Sequence, residues 1–126
     1  LDPQVSLCLS AVPALCDHCG NLAGRQPGWP RLFSVRNGVP TNRKVAEVSR
    51  YYDNVNFAKY IKAPVYMTAG MIDTTCVPTS VYAAYNNLPA GTEKHMTIHP
   101  TEGHVGKNPA GYQVMNEILK QAGKTK

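Results

Sequence analysis

Apolar and polar positions alternate between three kinds of pattern along the chain. The run Val5-Ser6-Leu7-Cys8-Leu9-Ser10-Ala11-Val12 is short, apolar and closed by Pro13, which predicts a buried strand rather than a helix. From Pro13 to Pro40 the pattern dissolves into Gly, Pro and Asn, with Pro27-Gly28-Trp29-Pro30 as punctuation, and predicts irregular structure with short helical turns. An excursion of that length is either a lid or interface, or a packed surface segment plugged by Trp29. A helix then follows, capped by Thr41 or Asn42 and running to about Tyr51 or Tyr52, with Val45, Val48 and Tyr52 at helical spacing. Asp53 or Asn54 caps a shorter helix through Phe57, Ala58 and Ile61.

The clearest unit follows. Ala63 to Gly70 is a buried strand entered through Pro64 and ended by Gly, with the loop Met71 to Cys76 behind it. Pro78, suited to a first helical position, opens a helix to about Leu88 with Val81, Tyr85 and Leu88 inward. After the turn at Pro89-Ala90-Gly91, Lys94 to His99 alternates as a strand with Met96 and Ile98 on one face. The loop Thr101 to Gly106 leads to a last helix from Pro109 that presents Val114, Met115, Ile118 and Leu119 to a core. Strand, helix, strand, loop, helix is the order of a parallel α/β sheet with flanking helices, here with three strands near 5–12, 64–69 and 94–99.

Composition narrows the function classes. With 126 residues, 43% hydrophobic and 17% charged, the chain reads as one globular portion, and intrinsic disorder is excluded. No apolar run approaches a membrane span, and Leu1-Asp2-Pro3-Gln4 lacks the basic region of a signal peptide. The net charge of +5 is spread thinly, without a helix-turn-helix, zinc-finger or RNA-recognition pattern, so nucleic acid is not the expected partner. Cys16-Asp17-His18-Cys19 offers half of a zinc site, but no second ligand pair follows, and no metal is expected. The competing reading of these thiols is as small buried hydrophobes.

In an open parallel sheet, chemistry gathers in the loops after the strands. Two such loops each hold one candidate: Asp73 after the strand ending at Gly70, and His104 after the strand ending near His99. Asp followed by His is the order of the last two members of a Ser-Asp-His triad of α/β-hydrolase type. The competing reading makes Asp73 a turn former and His104 an exposed loop residue. Of the other histidines, His18 falls in the irregular segment, and His95 and His99 lie in or at the end of a strand. No G-x-S-x-G occurs: Ser6, Ser10, Ser34, Ser49 and Ser80 all lack the flanking glycines.

The segments Tyr52 to Ala58, Ile61 to Val65, and Ala69-Gly70-Met71-Ile72-Asp73 through Tyr85-Asn86, with Ile98-His99-Pro100 and Gly103-His104, resemble the acetyl xylan esterase and cephalosporin C deacetylase family. Leu1 to Val5 and the strand end at Val12-Pro13 are similar to the passage following that family's nucleophile helix. The resemblance implies the C-terminal part of an α/β-hydrolase fold, a three-layer sandwich when complete. It implies removal of acetyl groups from short acetylated xylo-oligosaccharides and similar small esters, without cofactor. By position, Asp73 and His104 match the family's triad aspartate and histidine, and the serine and oxyanion donors would lie upstream of Leu1. The implied partners are a small acetylated carbohydrate, the N-terminal part of the same protein, and further copies in a homo-oligomer. A different hydrolase of this fold (a peptidase or dienelactone hydrolase) and a non-catalytic α/β binding module are the rival expectations. The isolated chain is expected to lack activity and, because of the apolar strand 5–12, to self-associate or to survive only beside its N-terminal partner.

Overall fold

The computed structural model describes residues 2–124. In chain order its elements are β1 (Cys8–Ala11), β2 (Val35–Arg36), β3 (Val39–Pro40), α1 (Arg43–Ser49), α2 (Asn54–Ala58), β4 (Val65–Gly70), α3 (Pro78–Asn86), β5 (Lys94–His99) and α4 (Pro109–Lys124). Short 3₁₀ turns at Gly20–Ala23 and Arg50–Tyr52 complete them.

The three long strands form one parallel sheet in the order β1-β4-β5. In the register, Cys8 lies beside Val65 and Ala11 beside Thr68, while Val65 faces Lys94 and Gly70 faces His99. The middle strand is the most apolar and most enclosed, with Val65 and Ala69 fully buried. That is the pattern of a strand covered on both faces. Val81, Ala84 and Leu88 from the α3 side, Ala58 from α2 and Met67 and Cys16 close the core around it.

Three expectations need correction. The first strand spans four residues rather than eight, and all four are half-buried. Val5 lies outside the strand and is 51% exposed, and β1 pairs only with β4 among the described residues. In α1 the buried residues are Ala46 and Ser49, not Val45, Val48 and Tyr52; Val48 and Tyr52 are exposed. The small face is selected because it meets the irregular segment, where the Cys19 thiol approaches Ala46 O and Ser49 Oγ. In α4, Val114, Met115 and Ile118 are half-buried and Leu119 is exposed. Gly111 lets that helix lie close to the sheet, because a Cβ there would be 2.6 Å from Leu9 Cδ2 and 3.0 Å from Tyr66 Cβ.

The segment 13–40 is ordered by hydrogen bonds rather than by repetitive structure. The buried Asp53 carboxylate accepts from Asp17 N (2.9 Å), His18 N (2.8 Å) and Val55 N (3.0 Å), so one side chain caps α2 and holds the excursion. Asn54 adds its own amides to Leu15 O and Ala14 O. Asp53→Ala would leave buried backbone donors unpaired, each costing about 1–3 kcal/mol. We expect it to destabilise the full-length protein by about 3 kcal/mol, read from chemical denaturation. Asp53→Asn, which keeps one acceptor, should lose less.

Gly28 fixes the return of the excursion. A Cβ there would lie 1.9 Å from Cys16 O and 3.0 Å from the Ser80 Cβ, so only glycine lets this backbone pack against the start of α3.

Candidate active site

Asp73 and His104 meet at the carboxyl edge of the sheet. His104 Nδ1 lies 2.9 Å from Asp73 Oδ2. An ionised carboxylate only accepts, so the ring donates from Nδ1 and its Nε2 carries the free lone pair. The Asp73 side chain is fully buried, whereas the His104 side chain is half exposed.

The sequence builds each half locally. β4 ends at Gly70, and the chain then tightens into a turn in which Asp73 N donates to Gly70 O. Asp73 Oδ1 accepts from Thr75 N (2.7 Å) and Cys76 N (2.9 Å), just ahead of α3. One oxygen is therefore the turn former of the competing reading, and the other is left for the imidazole. These bonds fix the carboxylate before His104 reaches it.

The histidine loop is stitched onto the aspartate loop by the backbone. Met71 N donates to His99 O (3.0 Å) and Ile72 N to Glu102 O (3.3 Å). Gly70 makes this crossing possible, because a Cβ there would lie 2.1 Å from Gly103 O and 2.6 Å from Glu102 O. Lys107 pairs with Glu102 at 3.2 Å, and His99 Nε2 lies 3.0 Å from Lys107 O, holding the far side of the loop. Gly70→Ala must push one loop aside by about 1 Å, a misplacement that can cost roughly 100-fold in rate. The variant should lose about that factor in kcat/KM in the full-length protein and about 1–3 kcal/mol of stability. Steady-state kinetics and denaturation measure the two.

The remaining candidates separate. His18 is buried, and neither of its ring nitrogens has a hydrogen-bond partner among the described residues. Cys16 donates to Ala14 O, while Cys19 turns to Ala46 and Ser49. Their side chains thus engage separate groups. Burial, reinforced by the charge of Asp53, pushes the Cys16 thiol up to about 12, so it behaves as a buried apolar group. Burial first, and then the Asp73 charge, also push the Cys76 thiol up, against the opposing pull of Arg31. His95 stacks on Tyr66 with ring centroids 4.5 Å apart, beside Glu93. A cleft of about 660 Å³ lined by Arg50, Tyr51, Phe57 and Tyr60 includes neither Asp73 nor His104.

Arg31 was not singled out by the sequence. Its guanidinium Nη2 donates to the carbonyl of Thr74, the residue after Asp73. No short-range signal marks it, because the contact joins positions 43 apart across the irregular segment.

A parallel sheet with an aspartate loop and a histidine loop joined at its carboxyl edge is the arrangement of the α/β-hydrolase class. Residues 4–120 match the family model for acetyl xylan esterase. The chain belongs to that family. It is 38% identical to the acetyl esterase Axe7A of Xylanibacter ruminicola over 121 residues, covering 96% of this chain and 27% of that protein. Among solved structures it is similar to acetyl xylan esterase 1 from Thermoanaerobacterium sp. JW/SL YS485, with a TM-score of 0.67, 30% identity, and coverage of 94% of this chain and 38% of that one. The acetyl xylan esterase from Paenibacillus sp. R4 gives a TM-score of 0.68 and 28% identity, with coverage of 95% and 39%. The chain thus spans about a quarter of the curated relative and under two-fifths of the solved ones.

Proposed function

We propose that this chain is the C-terminal portion of a serine carbohydrate esterase that removes acetyl groups from acetylated xylo-oligosaccharides and similar small esters. His104 is its acid–base residue and Asp73 the carboxylate that orients it, and the rest of the protein carries the serine and the oxyanion donors. The observation that carries this reading is the 2.9 Å bond from His104 to a carboxylate whose second oxygen is anchored on Thr75 N and Cys76 N.

The chemistry follows from that geometry. His104 Nε2 takes the proton of the serine hydroxyl as its oxygen attacks the acetyl carbonyl. Asp73 holds the imidazole in the Nδ1–H form and stabilises the imidazolium that results. The imidazolium returns the proton to the departing sugar oxygen, leaving an acetyl-enzyme. Water then attacks that ester, giving its proton to Nε2, and acetate leaves as the serine oxygen is reprotonated. The buried Asp73 supplies this stabilisation in a low-dielectric setting, while the exposed face of His104 is open to serine, water and substrate.

The test is acetate release by the full-length protein from acetylated xylo-oligosaccharides. Release at a rate far above the spontaneous one is expected. A protein that released no acetate yet cleaved peptides or dienelactones would belong to a rival hydrolase reading, and one that released nothing from any ester would fit a binding module.

A further inference from the structure

The excursion between β1 and β4 does more than cover the sheet. It is fastened along the start of α3 and the aspartate loop at successive points. Thr79 Oγ1 donates to Gln26 O, Gly28 packs beside Ser80, and Arg31 reaches Thr74 O. Arg31 stands at φ +43°, a left-handed backbone that a long side chain rarely adopts. Val12, Leu15 and Asp17 share that region in the same excursion. Strain gathered in this way accompanies sites that must hold a side chain in a set place.

Both oxygens of Asp73 are taken, Asp17 is held by Arg25 at 3.0 Å, and Glu102 by Lys107. Arg31 is exposed and pairs with no carboxylate among the described residues. Thr74 O engages one nitrogen of a guanidinium that carries five N–H donors in a planar fork. A fork of that kind matches a carboxylate through two parallel hydrogen bonds. Two residues back, Trp29 is 46% exposed and offers a flat apolar face.

We propose that Arg31 recognises a carboxylate carried by the acetylated substrate, so that the site favours acetylated oligosaccharides bearing an acidic, uronate-type sugar over neutral ones. The proposal rests on the esterase reading above and names the substrate class of the same site. Arg31 binds the substrate, and the proton transfers remain with His104.

The experiment uses the full-length protein, as wild type, Arg31→Gln and Arg31→Lys. The substrates are acetylated xylo-oligosaccharides of equal length with and without one uronic acid. The readout is the ratio of kcat/KM for the acidic over the neutral ester. The wild type should favour the acidic ester, and Arg31→Gln should lower the ratio by about 10- to 100-fold, mainly through KM. Arg31→Lys should keep part of the preference, as a point charge without the fork. A ratio equal in wild type and Arg31→Gln would overturn the proposal. That includes the case in which both substrates slow together, because Arg31 would then only hold the aspartate loop. Calorimetric titration with the deacetylated acidic oligosaccharide adds an arm free of turnover, in which Arg31→Gln should bind about tenfold more weakly. Arg31-dependent binding in a protein that released no acetate would remove the esterase reading and leave the recognition standing. Acetate release with an Arg31-independent ratio would do the reverse.

Discussion

Replacing His104 by alanine in the full-length protein is expected to lower kcat for acetyl esters by about a millionfold, with little change in KM. The reason lies in which groups are left. In the proposed mechanism Nε2 takes the serine proton, and the described loops provide no second base on Asp73. His99 is turned to Lys107 O and toward Glu102, and His95 lies against Tyr66 and Glu93. Neither can substitute. The fold should survive the change, because the half-exposed imidazole has its hydrogen bond with Asp73 and the loop is held separately by Ile72 N on Glu102 O. Circular dichroism and denaturation alongside the kinetics would separate lost chemistry from lost structure.

Asp73→Asn should cost about 10⁴-fold in kcat, less than the loss of the histidine itself. The amide oxygen can keep the two bonds from Thr75 N and Cys76 N, so the turn before α3 is preserved. The amide nitrogen then faces His104 Nδ1 and donates to it. That selects the imidazole tautomer with its proton on Nε2, which cannot accept one from serine. Asp73→Ala removes both functions, and leaves the Thr75 and Cys76 amides without their acceptor. It should therefore also destabilise the protein, by about 1–3 kcal/mol for each donor left buried. The pair of variants distinguishes the two oxygens: Asn separates catalysis from folding, and Ala does not.

The sequence made the middle of this fold legible because its signals are local. Pro64 and Gly70 bracket β4, and Pro78 opens α3, so a buried strand, a loop and a helix could be placed within two residues of their observed bounds. The loops bearing Asp73 and His104 followed from the parallel order of strands. What brings them together could not be read. It depends on Gly70 lying against the Gly103 and Glu102 carbonyls, a contact between strand neighbours that no spacing reveals.

The irregular segment hid more. Asn37-Gly38 stand at φ +51° and +75°, forming the two-residue turn of the β2–β3 hairpin. That dipeptide is a known hairpin signal, but flanking strands of two residues each are too short to show alternation. In α1 and α4 apolar size is a poor guide to which residues are most buried, because small residues make the close contacts; of the face expected in α4, Val114, Met115 and Ile118 are half-buried and Leu119 is exposed. Ala46, Ser49 and Gly111 are the buried ones, while Tyr51, Tyr52, Phe57 and Tyr60 remain exposed. Asp53 looked like a helix cap, and it is one. Its hold on Asp17 and His18, some 35 positions away, is a tertiary bond without a local signature.

Asp73 and His104 are proposed to activate a serine supplied by the rest of the protein. Labelling of the full-length protein by a serine-directed fluorophosphonate tests it most directly, because phosphonylation requires the same proton transfer to His104. One label per protein is expected, on a single serine outside residues 1–126, with acetate release lost in proportion. Labelling should be slowed by several orders of magnitude in His104→Ala. Equal labelling rates with and without His104, or a wild type that hydrolyses acetyl esters and takes no label, would contradict it.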